Sequence, residues 1–435
     1  MKKILAIILF SSLVMMVSAQ QSTVNTMSFT VDGVKVIFKP TVKDVINVRV
    51  FFRGGVTNYS QKQAGIEKLA LATVVQGGTH KYPGFAFKDT AEYYQIDIGS
   101  AAYEDYGDID VDCISKYFDK AWVLLTEAIM RPNFETSQVD LLRAKLIGQT
   151  KQAAASPDGH TVDMLEQNAF AGTQYETNPD GTPETLAGFT TTDLESYYES
   201  ILNKGQMFIV VAGNISKAEL IAKVHASFGS LPTKDYKQPE LTEPVWNDHK
   251  VLAEQRQLPI NYVAAVFNAP PISSPDYPAF RIGTTIIGSV LFMNIREQMH
   301  LSYDPGAELV THRMPYGYMS LSTSDPKKAI GEMVHGLHFA QSLTISELSL
   351  RHIVNNYILG YFLQQESSAA ITGTLGNAEI LDSWMTEEEL PERLGKVTPQ
   401  QVANALNQYI KGLRWSYLGD TTLEKQMEAD GVFRQ

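Results

Sequence analysis

Apolar and polar positions alternate early in the chain. Residues 29–31 and 34–38 read as two strands around Asp32-Gly33, a pair that tolerates the positive φ angles of a tight hairpin turn. A further strand is expected over 45–52. Residues 63–75 then carry apolar side chains at helical spacing, and Gly77-Gly78-Thr79 stops the helix. Strands are expected over 95–100 and 108–114, followed by helices over 118–130, 137–152 and 162–170. The spacing predicts another helix over 190–202, capped by Thr190 or Thr191. A buried strand over 207–212 ends at Gly213-Asn214, and a helix over 216–228 closes the unit.

Residues 231–246 hold three prolines and mixed charges without periodicity, which suits an exposed linker. After it the elements restart: strands over 249–254 and 260–267, a helical stretch over 277–298, and strands over 307–310 and 316–323. Long helices follow over 327–343 and 345–365. The two ends match. Phe189-Thr190-Thr191-Thr192-Asp193-Leu194 parallels Val397-Thr398-Pro399-Gln400-Gln401-Val402. Each opens a helix that leads through Gly205 or Gly412 to an apolar strand ending at Gly213 or Gly419. The chain therefore divides into an α+β unit over 24–230, a linker over 231–246 and a related unit over 247–435.

The chain has 435 residues, 44% hydrophobic and 19% charged, which excludes disordered, collagenous and coiled-coil classes. Length alone favours two or three domains. Lys+Arg 36 against Asp+Glu 48 gives a formal charge of -12 without long basic runs, so neither nucleic acid nor an anionic membrane is an expected partner. Met1-Lys2-Lys3, an apolar run over 4–17 and Val17-Ser18-Ala19 before Gln20 form a secretory signal peptide over 1–19. Its removal takes two lysines and no acid, so the charge falls to -14, counted from the same 36 and 48. No later segment approaches about 20 uninterrupted apolar residues, so no membrane span is expected after cleavage. The lone Cys113 makes no internal disulfide and follows the alternating Ile109 and Val111 as a packed strand residue. The expected location is periplasmic or secreted.

Four features together carry a resemblance: Gly65-Ile66 opening a helix that ends at Gly78-Thr79, the segment 291–303, the repeated Thr-helix-Gly-strand-Gly ends and the two-unit layout. With them the sequence resembles the insulinase/pitrilysin family of zinc peptidases, which includes the mitochondrial processing peptidase subunits and smaller bacterial relatives. The resemblance spans nearly the whole mature chain. It implies an α+β fold of two related domains, each an antiparallel-rich sheet covered by helices. The family's catalytic helix carries His-x-x-Glu-His, two imidazoles one turn apart for zinc and a glutamate for its water. Aligned from Gly65, those positions here hold Lys68, Leu71 and Ala72; anchored on Gly78-Thr79 they hold Leu69, Ala72 and Thr73. The third ligand's place falls on Gln149, a neutral amide. The resemblance thus implies that this chain holds no zinc and that zinc belongs to a partner.

The family's other working pair is an arginine with a tyrosine seven positions on, which reaches toward substrate. Arg296 and Tyr303 in Ile295-Arg296-Glu297-Gln298-Met299-His300-Leu301-Ser302-Tyr303 match it. A guanidinium grips a carbonyl or carboxylate through paired N–H groups, and a phenol donates to an oxyanion. In several bacterial relatives the zinc motif and this pair are divided between two chains that close as a clamshell. The expectation is therefore a subunit without metal in a heterodimeric peptidase, whose partner is an exported paralogue with an intact His-x-x-Glu-His and whose substrates are peptides. The competing reading of the pair is a helix-end cap and a strand residue.

His335 and His338, with Glu332 one turn earlier, could suit zinc but lack a further ligand, and scaffold is the expected role. The other seven histidines are scattered singly, His300 lying between Arg296 and Tyr303. No Gly-x-Ser-x-Gly elbow and no phosphate-binding loop occurs. Tyr93, Tyr94, Tyr103 and Tyr106 surround a strand pair that the resemblance places at the chamber edge, where a peptide could add as a strand. That supports the alternative, a non-catalytic peptide-binding or scaffold homodimer. A two-domain solute-binding protein is disfavoured because the halves lack regular strand-helix alternation.

Overall fold

The computed structural model describes residues 26–342 and 345–434, so the signal peptide expected over 1–19 lies outside the described residues. The first half runs β1 (Met27–Val31), β2 (Val34–Pro40), β3 (Val45–Arg53), α1 (Ile66–Gln76), α2 (Phe85–Tyr93), β4 (Asp97–Ala102) and β5 (Tyr106–Ile114). It continues through α3 (Phe118–Met130), α4 (Thr136–Ala155), α5 (Pro157–Phe170), α6 (Pro183–Gly188), α7 (Thr191–Ile201), β6 (Met207–Gly213) and α8 (Lys217–Phe228). The second half runs β7 (Val251–Gln255), β8 (Asn261–Asn268), α9 (Tyr277–Leu291), β9 (Gly306–Val310), β10 (Tyr316–Thr323), α10 (Pro326–Ser342) and α11 (Glu347–Gln364). It ends with α12 (Ser368–Leu381), α13 (Trp384–Glu388), α14 (Leu390–Gly395), α15 (Pro399–Tyr409), β11 (Arg414–Gly419) and α16 (Thr421–Ala429).

Two sheets result, in strand order β1-β2-β6-β3-β5-β4 and β7-β11-β8-β10-β9. Leaving out β1, the two orders correspond strand for strand, and in both only the leading pair is parallel, β2 with β6 and β7 with β11. The expected α+β fold of two helix-covered, antiparallel-rich sheets is what forms. The matched ends also correspond in detail. Thr190 and Thr398 each cap their helix in a reciprocal box, with Asp193 and Gln401 respectively. Gly213 and Gly419 sit at φ 153° and 149°, and a Cβ there would come within 2.7 Å of Ile46 and 2.3 Å of Asn261. The fold requires glycine at both.

The covering of the sheets crosses the 231–246 boundary in both directions. Helix α5 of the first half lies on the second sheet, where Ser416 Oγ donates to Thr161 O at 2.8 Å and Asn168 Nδ2 to Trp415 O at 3.0 Å. In return α12 lies on the first sheet, burying Ile371, Leu375 and Ile380 against Ile37, Phe51, Phe208 and Val210. Each such aliphatic side chain contributes about 2 kcal/mol by burial. Helices α2, α6, α12 to α14 and α16 are additions to the expected elements. The linker is largely exposed but pinned at its end: Trp246 is buried, with Nε1 donating to Ala169 O at 3.0 Å.

One helix bears on the expectation about membrane spans. The continuous helical stretch Tyr277–Gln298, 22 residues, is long and apolar enough to cross a membrane by length and composition. Its apolarity has another use here, since Phe280, Ile282, Ile287 and Leu291 are buried in the second core. Cys113 is buried in β5 as expected, and burial pushes its thiol up to about 12.

Candidate functional site

Helix α9 does not stop cleanly. It widens into a π-helical turn, Phe292–Gln298, in which Met299 N donates to Asn294 O at 3.0 Å, five residues back. His300 follows at φ 54°, a left-handed position, with its Nδ1 3.0 Å from Arg296 O. This reversal folds residue 303 back over residue 296. The guanidinium carbon of Arg296 lies 4.2 Å from the centre of the Tyr303 ring and 4.8 Å from that of Phe292. Two rings thus lie against the cation. Glu297 approaches Nε at 3.6 Å. Tyr303 is 79% exposed, so its phenol faces solvent. Arg296 and Tyr303, joined in sequence only by their spacing, are neighbours in space.

The motif helix has a different character. Gly65 opens α1 at φ 86°, and a Cβ there would lie 2.9 Å from Gly181 Cα and from Leu186. Lys68 points to Asp180, with Nζ 2.5 Å from its Oδ1. Leu71 and Ala72 are buried in the first core or against it, as are Leu69 and Thr73, whose Oγ1 donates to Leu69 O at 2.8 Å. Gln149 is exposed on α4. An ammonium, hydrocarbon side chains and an amide do not fit the family's zinc, under either alignment. Among the described residues no three His, Cys, Asp or Glu side chains gather as a metal-ligating group. His335 lies 3.5 Å from Glu332 and is exposed, as is His338.

The residue that the motif alignment passes over is Glu67. It is fully buried on α1, and neither carboxylate oxygen has a hydrogen-bond partner. Burial pushes its carboxyl up to about 8, with the nearby Tyr197 hydroxyl opposing. A Cβ at Gly107 would lie 2.7 Å from Glu67 Oε1, so the glycine makes room for the acid. Asp108, also buried, is pushed up to about 7 by desolvation against the pull of Arg49. A glutamate one place before a motif position gives a sequence pattern no distinguishing signal.

Asp180, the partner of Lys68, lines a cavity of about 300 Å³ with Glu104, Asp163, Glu166 and Glu176. Tyr316 Oη donates to Glu166 Oε1 at 2.6 Å, and burial pushes the Glu166 carboxyl up to about 7. Of the tyrosines expected at the chamber edge, Tyr103 and Tyr106 pack 4.8 Å apart at the turn that joins β4 to β5. Tyr93 and Tyr94 pack 4.9 Å apart at the end of α2. Strand β4 is an edge of its sheet.

Residues 188–348 match the family described as Peptidase M16 inactive domain. Among curated proteins, the chain is 24% identical over 279 residues to cytochrome b-c1 complex subunit 1, mitochondrial, of Rattus norvegicus, covering 62% of this chain and 57% of that one. The match thus spans a little over half the length of that relative. Among solved structures, a protease from Helicobacter pylori superposes with a TM-score of 0.84 at 15% identity, over 91% of this chain and 100% of that one. The periplasmic protease PqqL of Escherichia coli superposes with a TM-score of 0.77 at 17% identity, over 91% of this chain and 45% of that one. At these identities the structural likeness is one of fold.

Proposed function

Because residues 188–348 match the family described as Peptidase M16 inactive domain, we propose that the protein is the metal-free subunit of an exported two-chain peptidase. It contributes Arg296, Tyr303 and half of a peptide chamber, and an exported paralogue with an intact His-x-x-Glu-His contributes the zinc. The carrying observation is a contrast within one chain. Arg296 and Tyr303 are assembled at 4.2 Å with their polar groups available, whereas the motif helix has Lys68, Leu71 and Ala72 built into an ion pair and packing. The N–H groups of Arg296 suit a peptide carbonyl or carboxylate, and the exposed Tyr303 hydroxyl is free to donate to the same substrate.

The size relation to PqqL supports pairing, since the match takes 45% of that periplasmic protease and leaves room for a second unit of this size. The same likeness, with the signal peptide expected over 1–19, supports a periplasmic or secreted location.

The test is co-expression with an exported paralogue that keeps His-x-x-Glu-His, followed by purification and a peptide-cleavage assay. A stable complex that cleaves, with neither chain active alone, is the expected result. Cleavage by the lone chain, or a complex whose activity is indifferent to Arg296→Ala and Tyr303→Phe, overturns the proposal. A homodimer that binds peptides without cleaving them would establish the alternative of a scaffold that captures peptides along the β4 edge.

A further inference from the structure

Helices α9 and α11, with the short helices α13 and α14, line an open cavity of about 450 Å³ that takes no part in the site above. This volume lies within the range of small-molecule sites. Two oppositely charged side chains line it, Arg281 from α9 and Glu387 from α13, together with the rings of Tyr357 and Tyr361 from α11.

Arg281 is held in place without being neutralised. Its Nη1 donates to Tyr277 Oη at 2.7 Å, and its guanidinium carbon lies 5.4 Å from the centre of the Tyr357 ring. Its Nε is buried with no acceptor. Among the described residues, no carboxylate comes within the 4.0 Å of an ion pair with Arg281, and Glu387 likewise has neither ion pair nor hydrogen bond. Burial raises the Glu387 carboxyl above its ordinary range, and the charge of Arg281 draws it part of the way back. Two charged groups therefore face one cavity without touching, each carrying a desolvation cost that a direct contact does not repay.

We propose that this cavity binds a small zwitterion of free amino acid or dipeptide size, its carboxylate on Arg281 and its ammonium on Glu387. A planar guanidinium matches a carboxylate through two parallel N–H donors, and the tyrosine rings supply apolar walls for the ligand's side chain. The site is independent of the two-chain reading, because it is complete within this chain.

Calorimetric titration of the full mature chain with the dipeptide Ala-Phe tests it, against N-acetyl-Ala-Phe and Ala-Phe amide. Ala-Phe binds, and either cap weakens it by about tenfold or more, since each removes one charge. Gly360 lines the cavity and has no atom within 4 Å of an added Cβ, so Gly360→Phe fills the space and abolishes binding while the circular dichroism stays unchanged. Glu387→Gln weakens Ala-Phe and brings it level with the N-acetylated form. Absence of binding by Ala-Phe, equal binding of all three peptides, or undiminished binding by a folded Gly360→Phe chain overturns the proposal.

Discussion

Glu379 Oε1 accepts from Arg53 Nη2 at 2.8 Å and from Lys35 Nζ at 2.6 Å, tying a helix of the second half to strands of the first. Glu379 is nearly buried and Arg53 largely so, while Lys35 is 40% exposed and counts for less. Glu379→Ala leaves the Arg53 charge without its partner and is expected to cost about 2 kcal/mol. A lowered urea midpoint with an unchanged slope checks this; an unchanged midpoint would show that the apolar contacts of α12 suffice.

Gly376 on the same helix faces Phe51, and a Cβ there would lie 2.0 Å from the ring. In a free helix Gly→Ala gains about 1 kcal/mol, so the sign of the effect discriminates. Gly376→Ala is expected to destabilise, because Phe51 is stacked 4.9 Å from Phe208 and has little freedom to yield. Gly373→Ala, whose Cβ would meet Arg49 Nη1 at an ordinary 3.6 Å, is expected to be neutral or stabilising. Thermal midpoints of the two variants measured side by side settle the comparison.

Glu67 makes stability depend on pH. Its folded carboxyl titrates at about 8 against an ordinary 4.5, so between those values the folded state keeps a proton that the unfolded state has lost. Stability from this group is full below about pH 4.5 and falls by up to ~1.4 kcal/mol per pH unit until about pH 8. Glu67→Gln keeps the shape and removes this group's share of the slope, leaving those of Asp108 and Glu166, both raised to about 7, so stability falls less steeply with pH. Denaturant unfolding at several pH values is the measurement, and an unaltered slope would refute the assignment.

Tyr303→Phe keeps the ring over Arg296 and removes only the hydroxyl. Because Tyr303 is 79% exposed, the thermal midpoint should not move. In the two-chain enzyme proposed above, kcat/KM should fall by roughly 10²-fold, the scale of one lost oxyanion donor. Arg296→Lys keeps the charge and loses the planar donor fork, with a loss at least as large. A fall in activity matched by a fall in midpoint would point to a structural role for the pair.

The lone mature chain is expected to purify with far less than one zinc, and chelation should leave its melting unchanged. Lys68, Leu71 and Ala72 offer no ligand set, and the ion pair of Lys68 with Asp180 already uses the local charge. Elemental analysis with melting curves in chelator tests this. Stoichiometric zinc would redirect attention to His335 and His338.

Local signals were strong where they are short-range. Asp32 and Gly33 at φ 49° and 91° make the expected turn, and the Thr190 and Thr398 caps open α7 and α15 where the matched ends required. The incompatibility of Lys68, Leu71 and Ala72 with zinc also needs no coordinates, because it follows from side-chain chemistry at given spacings. Helix α12 gives no clear apolar period because its buried face, at 368, 371, 372, 375, 376 and 379, mixes Ser368, Thr372, Gly376 and Glu379 with Ile371 and Leu375.

Sequence by itself determined most of the strands and the longer helices up to α11, the matched ends of the two halves, the absence of zinc ligands at Lys68, Leu71 and Ala72, and the seven-residue spacing of Arg296 and Tyr303. Only the tertiary structure decided that α5 and α12 exchange sheets, that a π-helical turn and a left-handed His300 bring that pair into contact, and that Glu67 and Arg281 stand buried without full partners. Periodicity reports which face of an element is apolar. Which distant surface covers that face, and which charges are thereby shut away from water, depends on contacts hundreds of residues apart that local spacing does not encode.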